Sequence, residues 1–265
     1  MFRMRALHVF VLAIGGLAAP PVCAQQPAFH DPQQALLGEA NQAEIVSAFP
    51  AYDAPRIWAA LERIEARAGK AEANALDGYA AATGYLELLV IQRWFERNDK
   101  EHLPQVLRDN GREALVEKGL AAAEAFRAKN PTHSDIERVR GELISFLISG
   151  PVSGFRKGPE AQAAVLDGEK KDEGNAWCVF ASARMHFHNP AMAGGDKDLA
   201  LKELREISPH MKHFRVSHYL ALVYQAKGML PQAQYWARVA ARQAPENPEI
   251  ARLVATIDEA VKESE

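Results

Sequence analysis

Along most of this 265-residue chain, apolar residues recur at intervals of three and four rather than two. That spacing lines one stripe of an α-helix, whereas a sheet needs an alternation that the sequence does not offer. Between the stripes stand helix punctuators: Asp31-Pro32, Asp53-Ala54-Pro55, Gly69, Asn130-Pro131, Gly150-Pro151 and Gly228. An Asp before a proline caps a helix start, because proline's missing N–H is tolerated in the first turn, and glycine closes a helix end. Composition agrees: Ala, the best helix former, is the commonest residue with 47 copies, and aromatics make up only 8%. The pattern predicts helices over 31–49, 53–69, 72–96 and 99–129. Further helices are predicted from the capping box at Ser134 to Gly150, then over 159–170, 175–188, 197–207, 214–227, 231–243 and 248–263.

The first 24 residues read as a targeting segment rather than as structure. Arg3 and Arg5 precede an apolar stretch from Ala6 to Ala19, and Val22-Cys23-Ala24 places small residues where a signal peptidase cuts. Cleavage between Ala24 and Gln25 is expected, giving a periplasmic or secreted protein. That product is more acidic than the formal −3 of the whole chain, and Cys178 is its one cysteine, so no internal disulfide can staple it. No later run is long and apolar enough for a membrane span, so no integral membrane segment is expected in the mature chain. With 31 basic against 34 acidic residues, a nucleic-acid binder of the basic-patch type is excluded.

The C-terminal third is periodic. In a 34-residue frame opened at Phe214, Leu220, Ala221, Tyr224, Ala233, Ala237, Ala240 and Pro245 fall at positions 7, 8, 11, 20, 24, 27 and 32 in order, with Ser217 at the usually large position 4. This resembles the tetratricopeptide (TPR) repeat, in which small residues at 8, 20 and 27 let helices A and B approach closely. The resemblance is clearest over 214–247. It continues in a frame opened at Gly174 (174–210), where Trp177, Phe180 and Ala181 match, and in a degenerate pair over 133–170. It implies an all-α, right-handed α-solenoid of antiparallel helix pairs over 53–265, with an N-terminal helical extension over 25–52 and the last helix as a cap. Segments 149–158 and 189–196 are expected as inserted loops between helix A and helix B, side by side on one edge, where binding elements collect. The edge candidates are Arg156, Lys157, Gly194, Gly195 and Asp196. The Gly194-Gly195-Asp196 turn is similar to one in exported TPR proteins, including the periplasmic T component of TRAP transporters.

Groove positions of the resembling family, carried onto this chain, give Asn175, Cys178, Ser182, Met185 and His186 in one repeat. In the next they give Arg215, His218 and Gln225, together with Leu222 and Ala226. That mixed polar surface suits a peptide or a modest polar ligand, and it lacks the Lys/Asn column of a carboxylate clamp. Five histidines between His186 and His218 are expected to be surface residues rather than a metal site, since no carboxylate or thiolate completes a ligand spacing. Cys178 and His218 share a groove position on adjacent repeats, too far apart to act as nucleophile and base. The expected function is a non-catalytic exported scaffold, without cofactor or metal, for a protein or peptide partner. The alternative is a periplasmic small-ligand accessory of a solute transport system. If the frame is right, Ala221→Trp overfills the helix A–helix B contact and lowers unfolding stability by at least about 1–3 kcal/mol in a urea titration.

Overall fold

The computed structural model describes residues 28 to 264, so the signal-type segment and its cleavage point lie outside the described residues. Among these, the chain forms α1 (Ala40–Ala48), α2 (Ala54–Arg67), α3 (Asp77–Asn98), α4 (Gln105–Asp109), α5 (Arg112–Lys129) and α6 (Ser134–Ser145). It continues with α7 (Pro151–Lys171), α8 (Ala176–His188), α9 (Lys197–Ile207), α10 (Phe214–Ala226), α11 (Leu230–Gln243) and α12 (Pro248–Ser264). Neighbours pair along the chain: α3 on α5, α6 on α7, α8 on α9 and α10 on α11, with α12 on α11. The architecture is an all-α solenoid, and its one backbone bridge among the described residues joins His30 to Asn175.

Caps set most boundaries. Asp53 accepts from the Arg56 N–H, Asp196 from those of Asp198 and Leu199, and Asn247 from those of Glu249 and Ile250. Four expected boundaries are corrected. The helix expected over 99–129 is broken into a 3-10 turn (Lys100–His102), α4 and α5, with Pro104 and Gly111 standing at the two restarts. The helix expected over 31–49 is a 3-10 helix (Pro32–Gly38) followed by α1, because Glu39 turns extended and its carboxylate accepts from the Asn41 and Gln42 N–H groups, restarting the helix. The cap of α6 is His133 rather than Ser134: its Nδ1 accepts from the Ile136 N–H, and Ser134 instead accepts from Asn175 Nδ2 at 2.9 Å. Segment 149–158 is not an inserted loop. Helix α7 begins at Pro151, where the Ser153 hydroxyl accepts from the Gly150 N–H (3.0 Å) and donates to its carbonyl (2.9 Å). Pro159 rides inside this helix on its exposed side, at the cost of one backbone hydrogen bond.

Two apolar cores result. One joins α1–α6 and reaches Phe214 of α10, Ala240 of α11 and Ile250 of α12; the other joins α8–α12. Ala221, Ala233, Ala237 and Ala240 are all fully buried, as close helix approach requires. The segment before α2 is laid across the N-terminal ends of α8, α10 and α12. The His30 N–H donates to the Gly174 carbonyl (2.8 Å), Trp177 Nε1 donates to Asp31 (2.7 Å), and Asn247 Nδ2 donates to the Pro50 carbonyl (2.9 Å). Phe49 packs its ring 5.5 Å from that of Phe214.

Glycine on α6 is also a packing residue. A Cβ at Gly141 would stand 2.6 Å from the Ala161 carbonyl oxygen and 2.9 Å from Val165 Cγ2, whereas one at Gly154 meets only Ile148 at 3.7 Å. Gly141→Ala should therefore cost about 1–3 kcal/mol by pushing α6 off α7, although alanine is the better helix former. Gly154→Ala, in open helix, should gain about 0.5–1 kcal/mol. Chemical denaturation of the two variants reads both signs.

Candidate functional site

The inner helices of successive pairs, α3, α6, α8, α10 and α12, together with Ala161 and Val165 of α7, enclose a groove of about 480 Å³. Its lining mixes apolar Val90, Trp94, Met185 and Leu222 with charged Arg93, Arg97, Arg184 and Glu142. At its base a buried charge network joins the helices. Arg138 donates to Asp135 (2.6 and 2.8 Å) and Glu142 (2.7 Å), the Tyr79 hydroxyl donates to Asp135 (2.5 Å), and Arg184 reaches Glu142 from α8. Burial pushes the Glu142 carboxyl up, but the guanidiniums of Arg184, Arg138 and Arg215 outweigh it and hold it well below the usual carboxylate range. Glu87 behaves oppositely. Burial raises it to about 7, against a weaker pull from Arg215, which stays 3.8 Å away. Burial, then the charges of Arg184 and Arg93, push His188 down to about 4, so it faces the groove as a neutral imidazole.

Of the residues projected from the sequence, Arg215, His218, Leu222 and Met185 do line the groove, and Gln225 does not. Four on α8 are turned away. Asn175 is fully buried, caps α8 through the Trp177 and Cys178 N–H groups, and donates to Ser134. Cys178 is fully buried, its Sγ 3.9 Å from the Ser134 carbonyl, and burial raises its thiol far out of the reactive range. Ser182 donates to Glu169 on α7 (2.9 Å), and His186 pairs with Glu203 on α9 (2.8 Å). The cause is register. Caps Asn175 and His213 align Ala176 with Phe214, two residues later than the frame opened at Gly174. At about 100° per residue, two residues rotate a helix by about 200°, which swaps its inner face for its outer one. The corrected face presents Arg184 and His188, neither of which the frame opened at Gly174 places in the groove.

The expected loop edge is also only partly formed. Arg156 and Lys157 sit on helix α7, with Lys157 paired to Glu160 at 3.0 Å. Residues 189–196 do connect α8 to α9. There Gly194 takes a φ of +84°, and Gly195 passes so close to Asn189 that a Cβ would collide with its carbonyl oxygen. Asp196 caps α9, and those backbone hydrogen bonds hold its carboxyl below its ordinary value. The five histidines are not all surface residues as expected: His218 is buried, His213 caps α10, and His188 shares a 3.1 Å hydrogen bond with the Tyr219 hydroxyl. Among the described residues, no three His, Cys, Asp or Glu side chains converge as a metal-ligand set.

Against known proteins, no family model matches the chain, and no curated protein matches it in sequence. A solved structure is similar in fold: a thermophilic TPR protein from Thermus thermophilus, with a TM-score of 0.54 at 18% identity, covering 82% of this chain and 98% of that one. The likeness is one of fold, a TPR-like stack of helix pairs.

Glu87 offers a test of the groove's electrostatics. An acid whose folded pKa of about 7 stands above its ordinary 4.5 binds more protons folded than unfolded between those values. Its contribution to stability is therefore present below pH 4.5 and is lost as pH rises through about 7. Glu87→Gln removes this titration, so the variant should gain about 1–3 kcal/mol on the wild type between about pH 4.5 and pH 8 in paired urea unfolding curves. A constant difference would mean that Glu87 ionises at its ordinary value.

Proposed function

We propose that the chain is a non-catalytic helical scaffold whose groove holds a peptide or protein partner in the cell envelope. The groove itself carries the reading. The inner helices of several successive pairs supply most of its lining, with Ala161 and Val165 of α7 added between them, an arrangement by which stacked repeats build an extended concave binding surface. Trp94, Met185 and Leu222 offer an apolar floor beside the polar rim of Arg97 and Asn189, a balance suited to a peptide. The buried, unreactive Cys178 thiol supports a role without nucleophilic chemistry. Placement in the envelope rests on Arg3, Arg5 and the apolar run to Ala19, together with the small residues before Gln25. No described helix is long and apolar enough to cross a membrane.

A second reading, a small-ligand accessory of a solute transport system, is favoured by the groove's volume, which falls within the range of small-molecule pockets. The two readings separate in one experiment on the full chain. Peptides selected from a random library should crosslink to a photoreactive residue placed at Leu222 in the groove. They should not crosslink to one placed at Tyr235, which is exposed on α11 and absent from the groove lining. Equal labelling at both positions would reject the groove, and no labelling at either would favour the small-ligand reading over the peptide one. Met185→Glu with Leu222→Glu should weaken the selected peptides at least tenfold while leaving the helical circular dichroism signal unchanged.

A further inference from the structure

The groove holds more positive charge than its own carboxylates answer. Four arginines line it, Arg93, Arg97, Arg184 and Arg215, against Glu142 and Glu249. Both carboxylates are already engaged. Glu142 answers Arg138 and Arg184, and Glu249 accepts from the Tyr52 hydroxyl and lies 4.0 Å from His218. Arg215 is buried and stands 3.8 Å from Glu87 and 3.9 Å from Glu142, too far for a good hydrogen bond. Its Nη1, like Arg184 Nε, is buried without a hydrogen-bond partner among the described residues.

Arg93 is the sharpest instance. Its guanidinium lies 4.2 Å from the centroid of the Phe146 ring, and it forms no ion pair with a carboxylate of the described residues. Burial, then the charge of Arg184, lower it to about 10, low for a side chain that is otherwise always charged. A mostly buried cation with no counter-ion is expensive for the fold. A groove that concentrates such cations between low-dielectric walls focuses a positive potential on whatever enters it.

Resting on the partner-groove reading above, we propose that the groove recognises a carboxylate-bearing ligand. Its anion is gripped by Arg93 and Arg97 from α3 and by Arg184 from α8, the helices on either side of α6. Guanidinium forks match a carboxylate bidentately, which fixes the orientation of the anion as well as its charge. The apolar neighbours Val90, Trp94 and Leu222 receive the carbon skeleton attached to it. The carboxylate belongs either to an acidic side chain of a peptide or to a free organic acid, and the two sources are distinguishable.

The test uses the full chain in two arms. In the first, thermal unfolding is compared in citrate and in chloride at equal ionic strength. In the second, the peptides crosslinked at Leu222 are sequenced and compared with the starting library. Peptides enriched in Asp and Glu, losing at least tenfold in affinity when those residues become Gln or Asn, mark a peptide ligand. A citrate-specific rise in Tm marks a small organic acid. Either effect should be lost in Arg93→Met and weakened at least threefold in Arg97→Gln, while Arg252→Gln, on the exposed side of α12, leaves it unchanged. Arg93→Met should also melt at a higher temperature than wild type in chloride, since it removes an uncompensated charge at similar volume. Citrate equal to chloride, together with crosslinked peptides no richer in acid than the library, would overturn the proposal and leave the groove reading intact. Absence of any peptide at Leu222 removes the peptide reading instead: a citrate-specific rise in Tm then assigns the groove to a small organic acid, and no citrate effect overturns the proposal as well.

Discussion

A guanidinium with no exposed surface, that of Arg138, sits where the inner helices converge. Asp135 and Glu142 bracket it from its own helix, the Tyr79 hydroxyl of α3 reaches the same Asp135, and the ring of Trp177 on α8 lies 5.3 Å from it. Removing so much charge from water costs several kcal/mol per ion, and only complete pairing recovers it. Complete pairing needs α3, α6 and α8 in one register. A shift of one turn on any of them would leave a buried ion without its partner, so the network discriminates among helix packings that apolar contacts alone tolerate.

The network also explains why the concave face is polar. Glu142 extends it to Arg184 on α8 and approaches Arg215 on α10, so three successive inner helices share one carboxylate. Arg215 is sandwiched among rings, 5.5 Å from Phe49, 5.9 Å from Trp177 and 5.3 Å from Phe180. Phe49 belongs to the segment before α2, which Asp31 and Pro50 fasten to α8 and α12. One end of the concave face is thus filled by the chain itself. The remainder, around the C-terminal turns of α3 and α8, stays open as the groove.

The solenoid was legible in the sequence because its signals are local. Proline, asparagine and aspartate caps and the spacing of Ala221, Ala233, Ala237 and Ala240 fix helix ends and close approaches without reference to distant residues. The groove was legible on α10, where the frame matched the helix start, and on α8 at Met185 alone. On α8 the loop before α9 lengthens the repeat, and a two-residue error in opening the frame exchanged Arg184 and His188 for Ser182 and His186. The caps would have corrected it, since Asn175 and His213 mark equivalent starts. Nothing local marks Arg93: its setting is made by Phe146, fifty-three residues on, and by Arg184 from a third helix. The start of α7 failed for the opposite reason. Pro159 fits a first-turn position by itself, but Gly150, Pro151 and Ser153 already build the helix start eight residues earlier.

Helix ends account for part of the positive charge. Arg93 and Arg97 lie in the last two turns of α3, and Arg184 and His188 in the last two of α8. Each helix C-terminus presents about half a negative charge through its unpaired carbonyls, an effect that fades within about one turn. Arg97 and His188 sit close enough to benefit, but His188 is held neutral by burial and by the arginines around it and gives no cation for the dipole to stabilise. Arg93 and Arg184 lie a turn further in, beyond the useful range of the same carbonyls. Arg184 finds Glu142 instead, whereas Arg93 faces only the Phe146 ring, whose attraction is a fraction of that of a carboxylate. The macrodipoles therefore lower the cost of the rim and leave the interior guanidinium unanswered, which places the demand for an anion inside the groove rather than at its mouth.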